Sequence, residues 1–321
     1  MKFAKVLVVF ASVVCIGTGA VAQIWPTKPV QIVVPYGTGG MVDTIARILA
    51  PTLSEAWGQT VVVENQVGGG GALGTEKVAK SAPDGHTLLL TSSAQVISPA
   101  LRAYLPYDPL RDFVPIAPLI RQAYVLVVGK AAGVTSVAEL VAAAKAKPGA
   151  FKFTSAGIGT GTHLMAEKFN LDAGLKMVHV PTSGGPDSHE AVISGRMAYW
   201  FAPITSALPL IREGRLLALG VSGARRMGAI PEVPTVAEAG IKGFDATLWF
   251  GVWAPVGTPA IAVHRIALDL AHALAEPEVR ERLTKLSAET MSMKPSEFAA
   301  FVRDEAQSAQ RVVKVAGIQR K

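Results

Sequence analysis

The residues of this chain best suited to chemistry sit in glycine-rich loops, and what such loops offer is the binding of an anionic or polar group by backbone amides. The first is Tyr36-Gly37-Thr38-Gly39-Gly40, between the apolar run Val30 to Val34 and a helical pattern that carries Asp43 in its first turn. A helix start leaves several N–H groups without internal partners and carries a partial positive charge, and glycines let a ligand come close to those amides. No Lys or Arg lies between Val30 and Asp43. An anion bound here would be held by backbone dipoles, with Asp43 either capping the helix or accepting from a ligand hydroxyl. An ordinary turn that binds nothing has the same composition. Two further loops follow predicted strands. One holds Ser155, Gly157, Gly159, Thr160 and His163, and the other Thr182, Ser183 and Gly184. Ser92 and Ser93, after the strand Thr87 to Thr91, complete this set of candidate contacts. His163 reads either as a packing residue bonded to a backbone carbonyl or as a ligand contact.

Catalytic patterns are weaker. Gly69, Gly71 and Gly74 satisfy the dinucleotide spacing G-x-G-x-x-G, but no acidic residue stands about twenty positions on to hold a ribose. The nucleoside-triphosphate loop and the G-x-S-x-G nucleophile elbow are absent from the sequence. The six histidines, His86, His163, His179, His189, His264 and His272, show no metal-ligand spacing. No cofactor or metal is expected, although a catalytic triad can assemble from distant positions.

These loops need strands to end at one place. Apolar strands alternate with helices: Thr60 to Glu64, a helix from about Leu73 to Ser81, Thr87 to Thr91, a helix from Ser136 to Ala146, Phe151 to Ser155, a helix to about Asn170, then Met177 to Val180, Met197 to Phe201 and Leu216 to Val221. The alternation predicts α/β lobes, each a mainly parallel sheet flanked by helices. Ser136 and Glu139 form a capping box. Pro51 predicts a kink or break in the first helix, with Thr52 to Trp57 as a separate turn. The segments Arg121 to Gly129 and Ala246 to Ala254 read as strands passing between lobes, and the helical tail after Ala254 returns to the first. This divides the chain into a first lobe, residues 23–124 plus 249–321, and an inserted second lobe, residues 125–248.

Met1 to Ala22 has a basic start, an apolar run and a small-residue end, the pattern of a secretory signal peptide. Cys15, the only cysteine, lies within it, so no disulfide is expected in the exported chain. Removing residues 1–22 takes away Lys2 and Lys5 and no acid, so the formal charge falls from +7 to +5. That basicity is dispersed, without a Lys/Arg run interleaved with aromatics, and nucleic acid is not an expected partner. A monomer in the periplasm is expected.

Over nearly its whole length the chain resembles the Bug or TctC-like family of extracytoplasmic solute-binding proteins of bacterial tripartite tricarboxylate transport systems. The resemblance is carried by Trp25-Pro-Thr-Lys-Pro-Val-Gln-Ile-Val-Val-Pro-Tyr36 with Gly39, Gly40 and Asp43, by Val62-Val-Glu-Asn65 and Pro83-Asp-Gly85, and by Leu105 to Phe113. Ser155-Ala-Gly157 with Gly159, Thr160, His163 and Leu164, Ser206-Ala-Leu-Pro209, and Val233 to Gly240 complete it. It implies a periplasmic binding protein of type II fold, two lobes joined by two crossing strands that close on a small carboxylate, with membrane permease subunits as partners. It also implies that a carboxylate meets the first loop's amides, partly through ordered water, while second-lobe residues grip the other end. Many relatives read Val-Pro-Tyr-Lys-Gly at Val180-Pro181-Thr182-Ser183-Gly184, and Phe-Asp at Phe201-Ala202. These departures predict a wider, less ionic second-lobe wall and an aromatic or hydroxylated monocarboxylate as ligand. An exported enzyme acting on a small carboxylate, and a binder serving a two-component sensor, are the alternatives.

Overall fold

The computed structural model describes residues 25–158, 160–318 and 320; the segment read as a signal peptide, and Gly159, lie outside them. In chain order the elements are β1 (Val30–Val34), α1 (Met41–Trp57), β2 (Val61–Asn65), α2 (Ala72–Ala79), β3 (Thr87–Ser92), α3 (Ala94–Leu101), β4 (Phe113–Gln122), β5 (Tyr124–Gly129), α4 (Val137–Ala146), β6 (Lys152–Ser155), α5 (Gly161–Ala173), β7 (Val178–Pro181), α6 (Gly185–Ile193), β8 (Trp200–Pro203), α7 (Ile204–Arg212), β9 (Leu216–Val221), β10 (Leu248–Pro255), α8 (Ala260–Ala275), α9 (Pro277–Lys285), β11 (Glu289–Thr290) and α10 (Pro295–Val315).

The first lobe is built on a six-stranded sheet in the order β11-β4-β10-β3-β1-β2. Val30, Ile32, Val33 and Val34 are fully buried because β1 pairs on both sides and is covered on both faces. From α1, Ile45, Ile48, Leu49 and Leu53 enter the same core at helical spacing. The second lobe holds a three-stranded sheet, β8-β5-β9, and the pair β6-β7, joined by a bridge between Phe153 and Tyr199. Phe153, Phe169, Tyr199, Phe201 and Phe244 form its aromatic core.

Strand directions are more mixed than alternation predicts. β1 runs parallel to β2 and β3, and β6 to β7, but β10 is antiparallel to β3 and β4, and β5 is antiparallel to β8 and β9. The cause is the insertion itself: β4 carries the chain out of the first sheet and β10 brings it back alongside, with Leu248 opposite Gln122. Neighbours that leave and return must run oppositely. The two crossings meet at Ser222, which is fully buried. Its Oγ accepts from the Tyr124 N–H at 2.8 Å and donates to the Ala246 carbonyl at 2.6 Å.

Two local expectations are corrected. α1 runs through Pro51 without a break. Pro51 and Arg47, whose carbonyl loses its partner, are both on the exposed face, where solvent meets the orphaned oxygen. At α4, Ser136 accepts from the Glu139 N–H as a capping box requires, but the Glu139 carboxylate reaches one residue further back, to the Thr135 N–H and hydroxyl.

Candidate functional site

Between the lobes lies a cleft enclosing about 700 Å³, lined from the first lobe by Tyr36, Gly70, Ser92, Ser98, Arg102 and Tyr104, among others, and from the second by Ile158, Thr160 and Gly161. Its walls are the turns after β1, β2 and β6, the carboxyl end of β3, and α3 with the residues that follow it; strand carboxyl ends are where open α/β sheets bind ligands.

The first loop is shaped from beneath. The Asp43 carboxylate is buried and accepts from the Gly39 N–H at 2.8 Å, from Arg47 Nε at 2.9 Å and from Asn65 Nδ2 at 2.9 Å. Asn65 also donates to the Tyr36 carbonyl, and its oxygen accepts from Arg47 and Thr38. Burial pushes the Asp43 carboxyl up, but the bonds from Arg47, Gly39 and Asn65 outweigh it and hold the group below the usual carboxylate range. Every visible partner of Asp43 is internal, so its place is that of a loop-positioning residue. Gly37 to Gly40 stand exposed above it, and the N-cap Gly40 has no side-chain capping bond.

The second-lobe loops interlock. Thr160 caps α5, accepting from the His163 N–H at 3.3 Å and donating to the Gly157 carbonyl at 2.8 Å. Thr182 bonds the Ser155 carbonyl and the Ser188 hydroxyl, Ser183 donates to Asp187, and the backbone of Gly184, at φ +85°, lies against Ala156. His163 is buried and stacked on His179, ring centroids 3.8 Å apart, with its Nε2 3.5 Å from Glu167. Ser155 Oγ contacts His179 Nε2 at 2.7 Å. Sequence reading did not connect His179 with His163, because the stack forms across two elements.

Of the residues singled out in the sequence, Tyr36, Ser92 and Thr160 line the cleft. Ser93 is buried beside the crossing strands, its N–H bonded to the Trp249 carbonyl and its hydroxyl without a partner among the described residues. Phe201 and Ala202 are fully buried in the second-lobe sheet, so neither forms a cleft wall. Arg102, Ser98 and Tyr104 were missed. They depend on α3, whose Pro99 hides the helix from pattern reading, and Arg102 carries no local motif. Gly70, set aside as part of a turn, also faces the cleft. Among the described residues no cluster of His, Cys, Asp and Glu could hold a metal ion.

Burial, reinforced by the like charge of His163, pushes the His179 imidazole down to about 4. The unfolded chain binds that proton near pH 6.5 and the folded chain does not, so this contribution to stability is complete above about pH 6.5 and is lost as pH falls toward 4. Its size is about 1–2 kcal/mol once discounted for partial exposure. Urea unfolding at pH 7 and pH 4.5 should show a smaller acid loss in His179→Gln than in the parent chain; equal losses would remove His179 from the acid response.

A family model described as "Tripartite tricarboxylate transporter family receptor" (TctC) matches residues 45–318. BugT of Bordetella pertussis (strain Tohama I) is 34% identical over 318 residues, 98% of each chain. The fold is shared with R. palustris Rpa4515 with adipate, at a TM-score of 0.76, 32% identity, 92% of this chain and 100% of that one. It is shared too with MatC (Rpa3494) from Rhodopseudomonas palustris with bound malate, at 0.72, 31%, 90% and 100%. With its cleft between two α/β lobes, this chain therefore belongs to the TctC family of tripartite tricarboxylate transporter receptors, the Bug-type solute-binding proteins.

Proposed function

We propose that this protein is exported to the periplasm by a signal peptide at residues 1–22, captures a small carboxylate in the interlobe cleft without altering it, and delivers it to the membrane subunits of a tripartite tricarboxylate-type transporter. The observation that carries the reading is the cleft itself, faced by Tyr36 and Ser92 on one lobe and by Thr160 and Gly161 on the other. The adipate and malate of the two relatives support the carboxylate class. Closure takes residues 23–124 and 249–321 as one lobe and 125–248 as the other. Tyr104 and the second lobe's Ile158, both exposed on this cleft, become covered as the lobes approach. The loop Tyr36 to Gly40 receives one carboxylate through those of its amides that Asp43 and the Gly37 carbonyl leave unbonded, held by backbone dipoles.

Organic acids should raise the melting temperature, because a ligand that binds only the folded chain stabilises it by about 2.7 kcal/mol at 100 times Kd. A thermal-shift screen of adipate, malate, citrate, aspartate, benzoate, terephthalate and nicotinate tests this, followed by chromatography to check that the acid is recovered unchanged. Shifts with neutral solutes alone, or consumption of the acid, would overturn it.

A further inference from the structure

We infer that Arg102 sets the charge class of the ligand, receiving a second carboxylate from a molecule whose first carboxylate lies against the uncharged amide loops. The inference rests on the carboxylate-binding reading above and adds the residue that selects among carboxylates.

Three cations stand near the first-lobe loops, and two are already neutralised. Arg47 pairs with Asp43 at 2.9 Å, and Lys77 with Glu64 at 2.5 Å. Arg102, the first residue after α3, is half-buried and lines the cleft, and among the described residues no carboxylate lies within ion-pair distance of it. It is also the single charged residue among those that line the cleft. Its Nη1 donates to the Gly69 carbonyl at 2.6 Å, which fixes the guanidinium plane against the turn after β2. Nη2 lies over Gly70, where an added Cβ would collide with it. Gly68 to Gly71 all have positive φ, so this turn is built of residues that both adopt the backbone and leave room for the guanidinium. Tyr36 packs on Gly71, which places Arg102 beside the first loop with the Gly70 backbone between them.

A guanidinium held at one nitrogen keeps the rest of its donor fork for a planar oxyanion, and Arg suits a carboxylate better than Lys does for that reason. The expectation of a monocarboxylate came from the absence of a cation in the loop at Thr182 and Ser183. Arg102 supplies that cation from the opposite lobe, and the fully buried Ala202 removes one of the supposed wall changes. A dicarboxylate satisfies both the amide loops and this charge, whereas a monocarboxylate of equal length leaves one of them unmet.

The test pairs acids that differ only in the second carboxylate: adipate with hexanoate, and terephthalate with benzoate. Calorimetry on the parent chain, Arg102→Gln and Arg102→Lys reads the preference for the diacid. The parent should favour the diacid by about tenfold or more, and Arg102→Gln should erase that preference by weakening the diacid about ten- to a hundredfold while moving the monoacid far less. Arg102→Lys should fall between them, and the diacid's salt dependence should flatten in Arg102→Gln. Unchanged diacid affinity in Arg102→Gln, or equal weakening of diacid and monoacid, overturns the role of Arg102 while leaving carboxylate capture intact. Binding of no acid by the parent chain overturns both. Melting temperatures of the variants identify any loss caused by unfolding.

Discussion

Gly39→Val should lower carboxylate affinity by about a hundredfold or more, the equivalent of about 2.7 kcal/mol, while the protein stays folded. Gly39 holds φ +82°, a conformation that a β-branched residue adopts only under strain. Its N–H is the one that Asp43 fixes from below, so a relaxed loop loses that bond and turns its amides away from the ligand. The position is exposed and nothing lies within 4 Å of an added Cβ, so the strain of about 1–3 kcal/mol is not compounded by a core clash. Gly40→Val should be milder, because Gly40 has an ordinary φ of −71° and meets only the Gly37 carbonyl, at 3.3 Å. A matching change at Gly69 is not a neutral comparison, since its carbonyl holds Arg102. Gly58→Val is one: it has φ +59° and open space, at the far end of α1. Calorimetric titration with the acid found by thermal shift, run beside melting curves, decides the matter. Full affinity in Gly39→Val would exclude this loop from the site, and equal losses in Gly58→Val would show that backbone strain alone was being read.

Ser222→Ala should destabilise the protein by about 1–3 kcal/mol although it removes a single oxygen. That oxygen satisfies two backbone groups at once, the buried Tyr124 N–H and the carbonyl of the half-buried Ala246, one on each crossing segment. An orphaned buried polar group costs about 1–3 kcal/mol; the Tyr124 N–H is stranded in full, while the carbonyl of the half-buried Ala246 adds a smaller loss. The backbone bonds from Ser222 N–H to the Tyr124 carbonyl and from Ala246 N–H to the Ser222 carbonyl remain, so the crossing should loosen rather than come apart. Urea unfolding measures the loss, with Ser206→Ala as the comparison: its hydroxyl bonds the Pro203 carbonyl on an exposed turn and should matter by less than about 0.5 kcal/mol. A Ser222→Ala penalty no larger than that of Ser206→Ala would mean that the crossings are held by their backbone ladders alone.

What could be read from the sequence was what short stretches decide for themselves. The run Val30 to Val34, the glycine turn after it, the α4 cap at Ser136 and the helical spacing of Ile45 to Leu53 each bury or expose residues according to neighbours within a few positions, and pattern and propensity report that. The family could be read in the same way, because its motifs are contiguous. Tertiary structure decided the rest. Pro51 stays inside α1 because the carbonyl it orphans happens to face solvent, and the sheets are mixed because two strands must leave and return side by side. Asp43, open in sequence to a ligand role, is surrounded by Arg47, Gly39 and Asn65, the last brought from β2. Phe201 and Ala202 sit at a strand end in the sequence, yet pairing with Leu126 and Val125 turns them into core. Arg102 has no motif around it, and its place in the cleft depends on α3 and on the turn at Gly69 lying next to each other, a contact across 33 positions that no local pattern encodes.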